Sequence, residues 1–243
     1  TLIDLGVESA IATITLNRPD KRNAMSDAMR TEFIHALESV AADKAIQAAE
    51  KVAGKVPLVM YARGTLELQR GKPDKASSAL LEVLRVVPDH LPSMLAYAMA
   101  SYSLGNYEQS INYAGKVLGA APNSLIATKI LAGSYLKTGN VKEALRTLDS
   151  TLTKHPEDAG LLAMAGDAHL QAGDYNKAMG YLDKAAGLEP ENAIIRTRQA
   201  AVHLATGDSS EALANLEAAA SLSDKPGQAD LALVMLHLRN KEY

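Results

Sequence analysis

Three histidines are the first residues whose spacing invites chemistry. His169, His203 and His237 recur at one constant interval. Imidazoles bind zinc and titrate near neutral pH. Equal spacing, however, places them at one position of three successive helices. Neighbouring helix axes lie about 8–10 Å apart, whereas each zinc ligand must come within about 2.0–2.1 Å of a shared ion. The ladder therefore reads as a wedge of core histidines between helices, and no metal is expected. Neutral, buried histidines would weaken the fold on acidification. Lys129 and Lys137, on either side of Gly133, form a small basic spot. It reads either as a solvated pair or as a receptor for a carboxylate. Arg18, Lys21 and Arg22 cluster in the segment Asn17–Asn23, where a solvated turn explains them. No Ser/His/Asp set, Gly-rich phosphate loop or H-E-x-x-H run is present. No catalytic residue is assigned, and no cofactor is called for.

The elements that must position these residues follow the same fixed period. Gly71, Gly105, Gly139, Gly173 and Gly207 are evenly spaced, and Pro88, Pro122, Pro156 and Pro190 keep the identical interval. A third series of small residues runs in phase: Ala76, Ser110, Ala144, Ala178 and Ala212. Two breakers at one period with apolar helical runs between them predict a helix–turn–helix solenoid. The repeats span 57–90, 91–124, 125–158, 159–192 and 193–226, with a partial repeat 227–243. In each, helix A runs up to the glycine, and helix B runs from two positions after it to the proline. Gly64, Ala98, Ala132, Gly166 and Ala200 fall inside helix A, where small size allows close approach to helix B. Mid-helix glycine costs about 1 kcal/mol relative to alanine, so Gly64 and Gly166 point to tight packing. Asp224 stands where the fifth proline belongs, and Pro226 arrives two positions late.

The period can be traced back to Ala42 and stops there. Residues 1–42 are therefore read as a separate N-terminal fragment, and residues 43–243 as the solenoid. In the fragment, 2–6 and 10–16 read as strands joined through Gly6–Ser9. Ser26 caps a helix over about 27–41. Residues 43–54 read as a further helix, capped by Asp43 and closed by Gly54, equivalent to helix B of an incomplete repeat.

Composition narrows the partners. The formal net charge is −3, and no basic face suggests nucleic acid. No apolar run approaches the roughly 20 residues of a membrane span. Thr1–Leu16 carries acids and no basic stretch, so no signal peptide is read there. Cysteine is absent, which excludes disulfides and thiolate chemistry. With no Trp and one Phe, the core falls to Leu, Ala, Val, Met and Tyr.

Two families are resembled. From Val56 onward the glycine, small-residue and proline positions, with Tyr107 and Tyr175 two positions after the turn glycine, resemble the tetratricopeptide repeat (TPR). That resemblance implies an all-α right-handed superhelix and a non-enzymatic protein-interaction scaffold. Residues 43–243, through runs such as Ala172–Asn192, are similar to the TPR-repeat lipoprotein of the PEP-CTERM exopolysaccharide export system. This implies envelope or periplasmic localisation and an export-assembly role, although the lipobox cysteine of that family is missing. The run Leu16–Ala24, L-N-R-P-x-x-x-N-A, resembles the N-terminus of the crotonase (enoyl-CoA hydratase/isomerase) superfamily over residues 2–46. There the resemblance implies CoA-facing roles for Arg18, Lys21, Arg22 and Ala24. The later segments that would supply that family's oxyanion-hole donors and catalytic carboxylates do not follow. Since one such donor carries about 10²–10³ in rate, the enzyme is the alternative reading and the scaffold the main one.

The TPR resemblance also implies a groove. Its lining positions on helix A map to Tyr61, Thr65, Leu95, Met99, Tyr102, Lys129, Lys137, Asp167, Gln171, Thr197, Leu231 and Met235. The expected ligand is a peptide or helix, with Met and Tyr as adaptable anchors. The ninth position holds Thr65, Met99, Gly133, Asp167, Ala201 and Met235, so the Lys/Asn clamp of chaperone-tail adaptors is absent. A final helix A with Leu231, Leu233, Val234, Leu236 and Leu238 lacks its helix B. Self-association through that helix, or through the N-terminal strands, is a further expectation.

Overall fold

The structure, a computed structural model, describes residues 3–8, 11–16, 41–52, 54–222 and 227–240. The chain divides into two compact units, residues 1–104 and 105–243. The fold class is the all-α helix–turn–helix solenoid expected, preceded by a β-hairpin.

In the first unit β1 (Ile3–Glu8) pairs antiparallel with β2 (Ile11–Leu16), Ile3 opposite Leu16 and Glu8 opposite Ile11. The first strand is longer than expected. Gly6, Val7 and Glu8 lie in the ladder rather than in the connection, with Val7 opposite Ala12. The helix expected over 27–41 falls, up to residue 40, outside the described residues. Residues 41–52 are helical (α1), so Asp43 sits within a helix and does not cap one. Gly54 closes α1, with φ +70° and its N–H donating to the Glu50 carbonyl at 2.9 Å. Then follow α2 (Pro57–Gln69), α3 (Pro73–Val86) and α4 (Leu91–Ser103). Proline at the first position of α2 and α3 starts each helix where no N–H is needed.

The second unit holds α5 (Tyr107–Ala120), α6 (Leu125–Lys137), α7 (Val141–Leu152), α8 (Ala159–Gln171), α9 (Tyr175–Leu188), α10 (Ala193–Thr206), α11 (Ser209–Ser221) and α12 (Gln228–Asn240). Consecutive helices pack on one another, and the A helices α6, α8, α10 and α12 also touch in sequence.

Each periodic residue has its own physical cause. The ruler glycines have φ between +66° and +87°. They end helix A in the left-handed conformation, and the next N–H reaches back into the last turn, as Asp174 N–H to His169 O at 2.9 Å. A Cβ there would meet nothing within 4 Å, so the requirement is conformational. Gly64 and Gly166 are the opposite case: a Cβ would lie 2.6 Å from Leu80 Cγ and Leu182 Cγ. Two positions after Pro122, Pro156 and Pro190 stand Ser124, Asp158 and Asn192, whose side chains cap α6, α8 and α10. Ala76, Ser110, Ala144, Ala178 and Ala212 are all fully buried. Ser110 keeps its hydroxyl there by accepting from Ser134 Oγ at 2.9 Å. The core of the second unit is built on Leu148, Leu161, Leu182, Ile195 and Leu216, that of the first on Leu80 and Val83.

Candidate functional site: the faces of the A helices

The A helices position every residue expected to line a groove, and each unit carries its own set. On α2 and α4 of the first unit, Met99 is exposed, and Tyr61, Leu95 and Tyr102 are half-buried. Tyr61 meets the His90 ring edge-on, with centroids 5.3 Å apart. Thr65 turns its hydroxyl back to donate to the Tyr61 and Ala62 carbonyls. Its polar group is thus spent on its own helix.

In the second unit the charged residues engage one another. Lys129 Nζ lies 2.8 Å from Asp158 Oδ1, which also caps α8. Gly160 leaves room for this pair, since a Cβ would sit 2.9 Å from Lys129 Nζ. Burial works to raise the Asp158 pKa, but the Lys129 hydrogen bond and the Leu161 N–H outweigh it and hold the carboxyl below its ordinary value. The basic spot is therefore reduced: Lys129 already holds a carboxylate, and Lys137 alone is exposed. Asp167 pairs with Arg198, whose Nε lies 2.9 Å from its Oδ2. Burial pushes its pKa up, against the opposing charges of Arg198 and Lys137. Gln171 is exposed, and Thr197 donates to the Ala193 carbonyl at 2.8 Å. Leu231 and Met235 lie exposed on α12. Arg18, Lys21, Arg22 and Ala24 lie outside the described residues.

Of the three histidines, His169 keeps the wedge expected of it, and both His169 and His203 lie at the margin of the core. His169 and His203 are half-buried, with Nδ1 3.8 and 3.9 Å from Asp174 and Asp208, the caps of the next helices. His169 also stacks on Tyr181, with ring planes 10° apart. Their position is the last turn of helix A, beside the glycine, where a ring reaches the turn rather than the centre. Hydrogen bonds from the Lys177 side chain and, for Asp208, from the Glu211 N–H lead in holding these two carboxyls below their ordinary values. Among the described residues no group of three or more His, Asp or Glu is placed to hold a metal ion.

One cluster went unread in the sequence. Arg63 of α2 binds Asp43 and Glu50 of α1, the latter at 3.1 Å. Arg70 reaches Asp43 at 3.5 Å and Glu67 at 3.2 Å. Burial disfavours the Arg63 charge, yet the two carboxylates more than restore it and raise its pKa. Its signal was a departure from the repeat. Arg63 stands where the other A helices carry Tyr97, Leu131, Ala165, Gln199 and Leu233. Arg198 carried the same kind of signal, since it stands where the other A helices carry Ala62, Ala96, Ile130, Met164 and Ala232.

Stacked helix pairs ended by left-handed glycines define a helical-repeat fold. A tetratricopeptide repeat family model matches residues 61–124 and 131–193, and a second matches 169–229. The chain belongs to the tetratricopeptide repeat family, whose members typically serve as protein-interaction scaffolds. An enoyl-CoA hydratase/isomerase model matches residues 6–50. No curated protein matches the sequence. Among solved structures, a TPR protein of Parabacteroides merdae is 17% identical, with a TM-score of 0.74 over 87% of this chain and 84% of its own. A thermophilic TPR protein of Thermus thermophilus is 20% identical, at 0.66 over 75% and 100%. MamA of Desulfovibrio magneticus is 23% identical, at 0.60 over 70% and 97%. At these identities the likeness is one of fold.

Proposed function

We propose that the chain is a non-enzymatic interaction scaffold that takes a peptide or helix on the A-helix faces of its units. The observation that carries this is the character of those faces. They expose Met99 in the first unit, and Lys137, Gln171 and Ala201 in the second, above buried helix–helix contacts that already satisfy the fold. Selection of displayed peptides against the full chain tests it. Bound peptides should lose at least about tenfold in affinity on Met99→Arg or Ala201→Arg, and nothing on Lys184→Glu of helix α9. Binders indifferent to both A-face changes would overturn the reading.

The PEP-CTERM likeness supports placing this scaffold in exopolysaccharide export at the cell envelope. The repeat register supports residue 43 as the start of the working solenoid, so a chain lacking residues 1–40 should keep its helical circular dichroism. The alternative, a crotonase-type enzyme, rests on residues 6–50. Crotonyl-CoA hydration at the uncatalysed rate is the expected result. A rate above it that is lost on Arg18→Ala and Lys21→Ala would favour the enzyme. A second mode of protein contact, self-association, is favoured by α12, where Leu231, Val234, Met235 and Leu238 are 56% to 63% exposed.

A further inference from the structure

We infer that the open cavity at the corner between α9 and α10 is a docking site of its own, for a protein segment that sets a lysine or arginine beside an aliphatic side chain. The inference does not depend on the A-helix faces, because the turn between two repeats and the end of α11 form this cavity. Its walls include Glu189, Pro190, Glu191 and Asn192 of the turn, Ile194 of α10 and Leu222 of α11, and its volume is about 660 Å³. Ligand sites commonly measure about 300–1,000 Å³. The fold makes little use of the aliphatic side chains here: Ile194 is 58% exposed and Leu222 40%. One repeat earlier, Lys154 stands in the place of Leu188 and Gly160 in that of Ile194, so the repeats stack without aliphatic side chains at that corner.

Charge names the partner. No basic residue lines the cavity, and Glu189 and Glu191 are both exposed. Among the described residues neither glutamate has a cationic partner. Asn192 Nδ2 donates to Glu189 Oε2 at 2.6 Å and holds that carboxylate at the turn. Two helices also end at the cavity, α9 with Glu189 and α11 with Leu222 as C-cap, and neither carries a basic residue in its last turn. The carbonyl end of a helix favours a cation. The opposite pole, the N-terminus of α10, is already answered: the Asn192 side chain accepts from the Ile194 and Ile195 N–H groups at 2.9 and 3.4 Å. An anion therefore finds repulsion here. A bare metal ion would leave Ile194 and Leu222 in water. Lysine and arginine carry a charged head on an aliphatic stem, and an aliphatic neighbour in the same segment covers Ile194 and Leu222.

The test selects displayed random linear peptides on the full chain and then measures each clone against variants. One class should pair Lys or Arg with Leu, Ile or Val. Its affinity should fall about tenfold or more on Ile194→Ser or Glu191→Lys, and stay unchanged on Met99→Arg or Ala201→Arg. Exchanging its basic residue for Glu should abolish binding to the wild type and restore it on Glu191→Lys. Both changed residues are exposed, so circular dichroism should not move. Clones that all ignore Ile194 and Glu191 would overturn the inference. So would neutral or acidic clones that need Ile194 but not Glu191. No such class, with a lower urea midpoint for Ile194→Ser, would give the cavity to residues 223–226 of the chain itself and overturn it as well. Self-association lost on Glu191→Lys would give it to a second copy, with the same consequence. Clones sensitive to Met99 or Ala201 alone decide the A-helix reading and are told apart by these variants.

Discussion

At the scale of single residues, the chain separates two uses of glycine that its sequence shows alike. Gly166 is a steric requirement: a Cβ would lie 2.6 Å from Leu182 Cγ and 3.2 Å from the Ala178 carbonyl. Gly180, inside α9, has nothing within 4 Å. Alanine should therefore act with opposite sign at the two sites. Gly180→Ala should stabilise by up to about 1 kcal/mol through helix propensity. Gly166→Ala gains the same propensity but overpacks, at about 1–3 kcal/mol, and should be net destabilising. Urea midpoints of the two variants check this. The aspartates likewise diverge. Asp158 has a depressed pKa, so its stabilisation is present above the ordinary aspartate range and is lost as pH falls through the folded value. Asp167 has a raised pKa, so its contribution is present at low pH and is lost as pH rises through the folded value. In the window around the ordinary aspartate value of about 3.9, Asp158→Asn should flatten the loss of stability below that value, and Asp167→Asn the decline with rising pH above it. Thermal unfolding across that window would show the two variants departing from wild type in opposite directions; parallel curves would contradict the assignments.

At the scale of elements, most of what the sequence made legible was punctuation. The turn glycines and the prolines stand out because backbone conformation admits few substitutes. Helix lengths followed from the distance between them. What stayed hidden was how elements attach where the period lapses. No described residue of α1 is buried. Arg63 and Arg70 of α2 pair with its Asp43 and Glu50, whereas at the register of Arg63 other repeats carry the buried Leu131 and Ala165. Pairing partners distant in sequence leave no periodic trace, so this clasp could not be read in advance. It does carry a signature in solution. Ion pairs at partly exposed positions are screened, with a Debye length of about 10 Å at 0.1 M salt and about 3 Å at 1 M. Amide exchange over residues 41–52 should thus accelerate several-fold between these salts, while α8, held by Leu161 and Leu162, stays unchanged. Arg63→Gln should reproduce the fast exchange at low salt. Exchange in α1 that ignores both salt and Arg63 would show that burial, not charge, holds it.

At the scale of the whole molecule, the period predicts which surfaces are spent internally, and α12 is where that expectation fails. Its inner side is used, with Ala229 and Leu236 buried against α10 and α11. On the opposite side, Leu231, Val234, Met235 and Leu238 recur at i, i+3, i+4 and i+7, one stripe about 100° wide. The equivalent of Val234 is Gly64, Ala98, Ala132, Gly166 or Ala200 in the other repeats, all buried under or beside a helix B. Valine is larger than the residue at any of these equivalents, and Val234 is exposed. Four side chains of this size supply roughly half of the about 800 Å² per partner that a standard interface buries. Self-association through them should therefore be weak and concentration-dependent. Sedimentation of the full chain should show a mass rising from 25.8 kDa towards its double over the tens to hundreds of micromolar, about where so small an interface binds. Leu231→Glu with Met235→Glu should return it to a monomer with little loss of stability, because both side chains are exposed. A dimer that survives this double change would move the contact away from α12, to the strands at residues 3–8 and 11–16 first of all, and a monomer at every concentration would leave the stripe to a different protein.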